Sequence, residues 1–208
     1  MIILSFLFFL TATLYASVGF GGGSTYLALL LIWDVSYLIF PVIALFCNII
    51  VVSGNCFNYI KAGNFNFKIL VPYLTSSIPL AFIGGSLSID KEFFEILLFI
   101  VLTLAGLLLL LKFKSFDQNA ETYRKIPKIV SILIGGSIGF ISGVVGIGGG
   151  IFLSPILLLV RVDNVKNITT AASLFILINS ISGLAGQFTK PSTIDEVYIY
   201  WPLFLLVL

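Results

Sequence analysis

The stretch SVGFGGGSTYLALLL, residues 17–31, holds four glycines within five positions of an otherwise apolar run. Glycine in a helix interior costs roughly 1 kcal/mol relative to alanine, so a cluster of glycines interrupts the helix that the apolar run favours. A second stretch, VVGIGGGIFLSPILL at 144–158, carries the same Gly-x-Gly-Gly-Gly core. The recurrence indicates that the interruption has a structural or functional purpose.

The composition of the chain predicts a membrane protein. Of the 208 residues, 59% are apolar and 10% are charged, whereas soluble domains carry about 25% charged residues. The mean hydropathy is +1.17. A chain of this length cannot bury so much apolar surface in one core, so the lipid bilayer is the expected solvent. We therefore expect an all-α, polytopic transmembrane helix bundle, a multi-pass membrane protein.

The polar residues exclude several classes of function. The net charge of +2 arises from short loops without a basic patch, so no nucleic-acid partner is expected. The chain has no histidine and two cysteines, which leaves no ligand set for a His/Cys metal site, and we predict neither a metal nor a cofactor. No carboxylate lies deep within a predicted span, because Glu95 stands at the very start of the crossing at 93–111, so general acid–base catalysis lacks candidates. We predict no catalytic residues and no enzyme activity.

The positions of the charged residues divide the chain into spans. A transmembrane helix needs about 20 apolar residues. Two charge-free segments, 1–33 and 129–160, are too long for one straight crossing and too short for two, and these are the segments that contain the glycine clusters. The remaining long segments predict single crossings at 38–60, 69–88, 93–111 and 167–188.

An internal repeat organises these spans. The four glycines of the first cluster fall on those of the second at an offset of 127 residues. The match continues at an offset of 129, where Leu45-Phe46 meets Leu174-Phe175, Ser53-Gly54 meets Ser182-Gly183, Asn58 meets Gln187 and Lys61 meets Lys190; Pro72 meets Pro202 at 130. We predict a first transmembrane repeat at 1–111, a cytoplasmic linker at 112–128, and a second repeat at 129–208 that is truncated at its C-terminus.

The loop charges predict that the two repeats are inverted. Cytoplasmic loops are enriched in Lys and Arg, which places the linker, with five basic residues, in the cytoplasm. If 129–160 enters the membrane and returns at its glycines, the loops at 61–68 and 161–166 both lie inside. The loop at Asp34 and the loop at 189–196 then lie outside.

A glycine-broken helix offers backbone N–H groups and the positive end of a helix dipole, which favour an anion. We expect the helices to restart at about Ser24 and Ile151. Close helix packing is the alternative explanation of the glycines, and interhelical hydrogen bonding is the alternative for the buried amides. Pro155 indicates a discontinuity in the second half that Ala28 lacks in the first. The predicted substrate-binding residues are Gly19, Gly21, Gly22, Gly23, Ser24, Thr25, Asn48, Asn55, Gly146, Gly148, Gly149, Gly150, Ser154, Pro155, Ser180 and Gln187.

The two motifs GFGGGSTYLALLL and GVVGIGGGIFLSPILLL resemble those of the TauE/SafE family of membrane transporters. Gly146, Gly148, Gly149, Gly150 and Pro155 match the family pattern, and the first motif matches its glycines. The resemblance implies export of sulfite, sulfonates or related organosulfur anions across the plasma membrane. The expected partners are a small anionic substrate and the lipid bilayer, and a homodimer stays open. A passive anion channel and a non-transporting membrane scaffold are the alternative functions.

Overall fold

The structure is a computed structural model that describes residues 2–63, 66–110 and 123–190. Most of the predicted linker and the last charge-free segment, 197–208, lie outside these residues. The described residues form eight α-helices, and a 3-10 turn, Tyr37–Ile39, precedes the third. The helices are α1 Ile2–Val18, α2 Gly23–Ile32, α3 Phe40–Lys61, α4 Phe67–Ser86, α5 Lys91–Leu110, α6 Lys128–Val145, α7 Gly150–Val160 and α8 Val165–Gln187.

The helix boundaries follow local sequence signals. The four predicted crossings correspond to α3, α4, α5 and α8, with each boundary within two residues of its prediction. The Oδ1 of Asn164 caps α8 by accepting the N–H of Asn167 at 2.8 Å. Gly146 ends α6 in the left-handed conformation, with φ of 93°. By length and composition, α3 with its preceding turn, α4, α6 and α8 can each cross a membrane, whereas α1, α2 and α7 are shorter apolar helices.

The segment 129–160 enters and returns, as predicted. Arg124, which precedes α6, donates its backbone N–H to the carbonyl of Arg161, which follows α7, over 3.1 Å. If α7 continued in the direction of α6, Arg161 would lie roughly 45 Å from the start of α6 at 1.5 Å per residue. The few residues between Arg124 and α6 can cover only about 14 Å. Therefore α6 and α7 form a hairpin that bends at the glycines.

The first glycine segment forms a second hairpin. Tyr26 of α2 stacks on Phe8 of α1, with ring centroids 4.7 Å apart, so α2 runs back along α1. A Cβ built on Gly19, directly after α1, would lie 2.7 Å from the hydroxyl of Tyr59 in the last turn of α3. Because both helices end in the same region, α1 runs in the same direction as α3.

The two hairpins run in opposite directions. Asn66, in the loop after α3, donates from Nδ2 to Oδ2 of Asp163, in the loop after α7, at 2.9 Å. The end of α3 and the start of α6 therefore lie at the same end of the bundle, so α1 runs toward this end and α6 runs away from it. The opposite directions of the hairpins agree with inverted halves; the inverted duplication itself stays a prediction. The basic residues at this end, hereafter the basic end, are Lys61, Lys68, Arg124, Lys125, Lys128, Arg161 and Lys166.

The opposite end of the bundle carries a different set of charges. Phe40, at the start of α3, packs against Phe94, near the start of α5, with ring centroids 6.0 Å apart. A Cβ built on Gly186, at the end of α8, would lie 3.0 Å from the backbone N of Ser86, at the end of α4. Together with the loop after α2, this opposite end carries Asp34, Asp90, Lys91, Glu92 and Lys190. The described parts of the loops thus group at the two ends as predicted, and residues 191–196 of the last loop lie outside the described residues.

The α4, α6 and α8 helices pack through their backbones, in what we call the glycine seam. A Cβ built on Gly139 of α6 would lie 2.6 Å from the Cα of Ser77 in α4, and one on Gly143 would lie 2.8 Å from the backbone N of Gly85. Gly135, Gly139 and Gly143 follow one another at intervals of four residues, so they share one face of α6. Such spacing lets helices approach closely in a membrane. The seam consists of Gly84, Gly85, Gly135, Gly139, Gly143, Gly183 and Gly186.

Candidate anion site at the two helix breaks

The helices that follow the glycine clusters begin in the same way. Gly22 precedes α2 with φ of 83° and ψ of 6°, and Gly149 precedes α7 with φ of 78° and ψ of −19°. This left-handed conformation costs a residue with a side chain roughly 1–2 kcal/mol, so it requires glycine. The helices restart at Gly23 and Gly150, each one residue before the predicted position.

Pro155 does not form the break. It lies inside α7, which continues through it from Gly150 to Val160. The first half makes an equivalent left-handed start at Gly22 although Ala28, inside α2, stands at the aligned position. The expectation that Pro155 reinforces the discontinuity was therefore wrong, because left-handed glycines make both breaks.

The breaks leave a row of backbone N–H groups without acceptors. Among the described residues, the N–H groups of 21–24 in the first break and of 147–151 in the second donate no hydrogen bond to the protein. Apart from Ser24, which is half-buried, all of these residues are buried. Buried backbone N–H groups are almost always paired with a hydrogen-bond acceptor. A region with this many unpaired donors therefore indicates a binding site for a ligand that carries acceptor atoms.

Asn48 of α3 lies between the two breaks. Its Nδ2 donates to the carbonyl of Ile147 at 3.1 Å, while its buried Oδ1 has no hydrogen-bond partner. A Cβ built on Gly23 would lie 2.7 Å from both Nδ2 of Asn48 and the carbonyl oxygen of Ile147, and one on Gly148 would lie 2.9 Å from the same Nδ2. The two glycine clusters therefore meet at this one amide.

Further polar groups surround the meeting point. The hydroxyl of Ser180 is buried without a partner and lies 3.0 Å from a Cβ built on Gly148. Ser173 of α8 donates its hydroxyl to the carbonyl of Gly19 and so ties the first break to the second half. The hydroxyls of Tyr15 and Thr25 share a hydrogen bond of 2.8 Å. Ser173 and Tyr15 were not predicted. Only the folded chain brings Ser173 to the first break, whereas Tyr15 stands four residues before Gly19 in the sequence.

The space between the breaks is small. A cavity of about 10 Å³, measured for the centre of a water molecule, lies against both clusters, which is room for about one water. An oxyanion of several heavy atoms needs the breaks to separate. The cavity is lined by Tyr15, Phe20, Gly21, Gly22, Gly23, Ser24, Ile147, Ile151 and Ile176.

Several predicted residues lie away from this point. Gln187 donates from Nε2 to the carbonyl of Gly143 at 3.0 Å and accepts from Nζ of Lys190 at 2.9 Å, near the opposite end. Asn55 lies two turns beyond Asn48 toward the basic end, and its Nδ2 is buried without a partner. Ser154 is buried within α7. Gln187 therefore contacts a helix neighbour, which matches the alternative that buried amides join helices.

Comparison with known proteins points to membrane transporters. The model of the family described as Sulfite exporter TauE/SafE matches residues 4–208. A probable membrane transporter protein of Sinorhizobium fredii is 26% identical over 199 residues, which cover 95% of this chain and 81% of that protein. A probable membrane transporter protein of Methanocaldococcus jannaschii is 30% identical over 146 residues, covering 69% and 52%, respectively. No solved structure matches the chain at a significant level.

Proposed function

Because the chain belongs to the TauE/SafE family of membrane transporters, we propose that it is a secondary transporter that exports a small anion such as sulfite or an organosulfonate. The substrate binds between the two glycine breaks. The observation that carries this proposal is the double row of open N–H groups at 21–24 and 147–151, which meet at Asn48.

The charge of the site favours an anion. The breaks present the N-termini of α2 and α7, whose dipoles place partial positive charge there. Backbone N–H groups and helix N-termini together form an anion site without any lysine or arginine. Discontinuous helices of this kind hold substrates in many secondary transporters built from inverted halves. The hydroxyls of Ser24, Thr25 and Ser180 supply additional donors.

The direction of each break suggests how access alternates. The first break begins at Gly19, which contacts Tyr59 and Ser173 on the side of the basic end. The second begins at Gly146, whose added Cβ would lie 3.0 Å from Cβ of Pro41 near the opposite end. Separation of the first break opens the site toward the basic end, and separation of the second opens it toward the opposite end. By the positive-inside rule the basic end is cytoplasmic, so export runs from the basic end to the opposite one.

The small volume of the space at the breaks supports a transporter over a passive channel. A channel needs a continuous wet path in its conducting state, whereas alternating access includes a state in which the site is closed on both sides. In this structure the space at the breaks holds about one water. Reversal-potential measurements separate the two functions, because a transporter shows saturable exchange without a matching conductance.

Counterflow into proteoliposomes tests the proposal. The purified protein is screened with sulfite, sulfate, methanesulfonate and acetate, and compared with Gly22→Ala and Gly149→Ala. We expect saturable sulfur-oxyanion exchange that falls at least tenfold in both variants. Gly106→Ala in α5 is the matched control, because its added methyl group meets nothing within 4 Å. Full exchange in both break variants would refute the proposed site, and exchange of acetate alone would refute the substrate class.

A further inference from the structure

The side-chain amide of Asn48 is held in one orientation between the two breaks. Its Nδ2 donates to the carbonyl of Ile147, which can only accept, so the nitrogen faces the second break. Its Oδ1 faces the first break, because a Cβ built on Gly21 would collide with Oδ1 and one built on Gly23 would lie 3.2 Å from it. The side chain is fully buried, and Oδ1 receives no hydrogen bond from the described residues. An acceptor without a donor therefore stands beside the open N–H groups of 21–24.

A small oxyanion without a hydrogen atom to donate does not satisfy this arrangement. Its oxygens accept from the open N–H groups, but next to Oδ1 of Asn48 they bring two acceptors together and leave Oδ1 buried without a donor. A binding site whose buried polar atom needs a partner rejects ligands that lack the matching group. The ligand that fits best therefore offers acceptor atoms to the N–H groups and one O–H or N–H group to Oδ1.

The charge around the cavity favours a singly charged ligand. Among the described residues, no charged side chain lines the cavity, so its positive potential comes from the partial charges of N–H groups and helix N-termini. The free energy needed to remove an ion from water rises with the square of its charge. A doubly charged oxyanion therefore binds less well than the same ion with one proton added, and that proton is also a donor for Oδ1.

We propose that the transported species is a singly charged oxyanion that carries a hydrogen-bond donor, and that Oδ1 of Asn48 accepts from this donor. This inference rests on the proposed function and narrows its substrate. Two sources supply the donor: an acid group that keeps one proton, as in hydrogensulfite, or a sulfonate whose carbon chain carries a hydroxyl group. In either case the amide of Asn48 discriminates against anions without a donor, such as sulfate and methanesulfonate.

Two pairs of matched probes test the role of this oxygen in the full chain. Singly protonated methylphosphonate has the size and charge of methanesulfonate but carries an O–H group, which it loses near neutral pH as a phosphate ester does. Isethionate is ethanesulfonate with a hydroxyl group on its carbon chain. Homoexchange of each probe is measured in proteoliposomes with the same pH on both sides.

The pH of the assay changes the probe rather than the site. The ionisable side chains that the described helices place near Asn48 are phenols and thiols, which ionise mainly above the range from about pH 6 to about pH 8 used here. These side chains are Tyr15 of α1, Tyr26 of α2, and Cys47, Cys56 and Tyr59 of α3. Methanesulfonate keeps its charge throughout this range, so its KM records any effect of pH on the protein.

The probe with the donor is expected to bind more tightly in at least one pair. For the acid-proton source, the KM of methylphosphonate at about pH 6 is at least tenfold below that of methanesulfonate and rises at least threefold at about pH 8. For the carbon-chain source, the KM of isethionate is at least tenfold below that of ethanesulfonate at both pH values. Equal KM values within both pairs would overturn this inference and leave the proposed function in place. Absence of exchange for all four probes and for sulfite would refute both.

A pair of variants tests the assignment to Asn48. Asn48→Leu removes the acceptor, and Ser180→Ala is the matched control, because the buried hydroxyl of Ser180 lies 3.0 Å from a Cβ built on Gly148, on the side of the second break. We expect the ratio of KM values within the discriminated pair to fall to about one in Asn48→Leu and to stay within about twofold of wild type in Ser180→Ala. A ratio that survives in Asn48→Leu would overturn the assignment. The probe comparison in the wild type does not depend on either variant.

Discussion

The protein uses glycine in two physically different ways, at the helix breaks and in the glycine seam. At the breaks, Gly22 and Gly149 adopt left-handed backbone conformations that other residues reach only with strain. In the seam, Gly139 and Gly143 have ordinary helical backbones but leave no space for a side chain against α4. The first use creates open N–H groups, and the second joins three helices tightly.

This difference separates function from stability. A methyl group at Gly22 or Gly149 strains the backbone, but the atoms nearest to it belong to side chains, which can shift. A larger group in the seam pushes α4 away from α6, and backbone atoms cannot move aside as the end of a side chain can. Substitutions in the seam are therefore expected to prevent folding, whereas substitutions at the breaks are expected to reduce transport in a protein that still folds.

The largest effect is expected in the seam. Gly143→Leu places a side chain against the backbone of Ala81 and Gly85, and we expect a loss of more than about 3 kcal/mol, above the usual range for overpacking. The measurement is the yield of monodisperse protein and its melting temperature in detergent. Gly106→Leu, an equal substitution in α5 with nothing within 4 Å, should melt like the wild type. A Gly143→Leu protein with wild-type melting would mean that the seam is not tightly packed.

The second prediction concerns the amide that joins the breaks. Asn48→Leu leaves the buried carbonyl of Ile147 without its donor, a cost of about 1–3 kcal/mol. We expect this protein to fold but to lose at least tenfold in counterflow rate, because the two breaks lose their common polar contact. Asn179→Leu in α8 is the control, since among the described residues the side chain of Asn179 donates only to the carbonyl of Phe175 in its own helix. Equal loss of transport in both variants would assign Asn48 a general packing role.

The predictable part of this molecule is the part that depends on local sequence. Hydropathy located α3, α4, α5 and α8 because the length of an apolar run is a local property, and the repeated glycines located both breaks. The seam also has a local signal in the sequence, the spacing of four between Gly135, Gly139 and Gly143.

The site itself depended on contacts between distant residues. Asn48 and Ile147 meet across 99 positions, and Ser173 and Gly19 meet across 154. No spacing in the sequence records such pairs. Gln187 shows the same difficulty in reverse. The sequence placed it among the predicted substrate-binding residues, whereas in the fold it bonds to Gly143 and Lys190.

A smaller effect is expected from a hydrogen bond across the seam. Ser182 donates to the carbonyl of Ile78 in α4, whereas Ser53 donates to Ile49 in its own helix. Interhelical hydrogen bonds in membranes contribute about 0.6 kcal/mol on average. We expect Ser182→Ala to lower the unfolding free energy by about that amount and Ser53→Ala to leave it unchanged. Equal values in denaturant titrations of the two variants would show that the hydrogen bond adds nothing to the backbone packing.

The smallest effect is expected at Lys190, where the seam reaches the opposite end. Burial lowers the pKa of Lys190 below its usual value of 10.5. As the pH rises from the folded pKa toward 10.5, the unfolded chain keeps a proton that the folded chain has released, so this lysine makes the stability rise with pH. At lower pH both states are protonated and its unfavourable contribution is constant. The melting temperature of the wild type should therefore rise relative to that of Lys190→Met as the pH approaches 10.5. Lys61→Met, at the aligned and exposed lysine, is the matched control. If the difference in melting temperature between Lys190→Met and the wild type does not change with pH, Lys190 is solvated rather than held against Gln187.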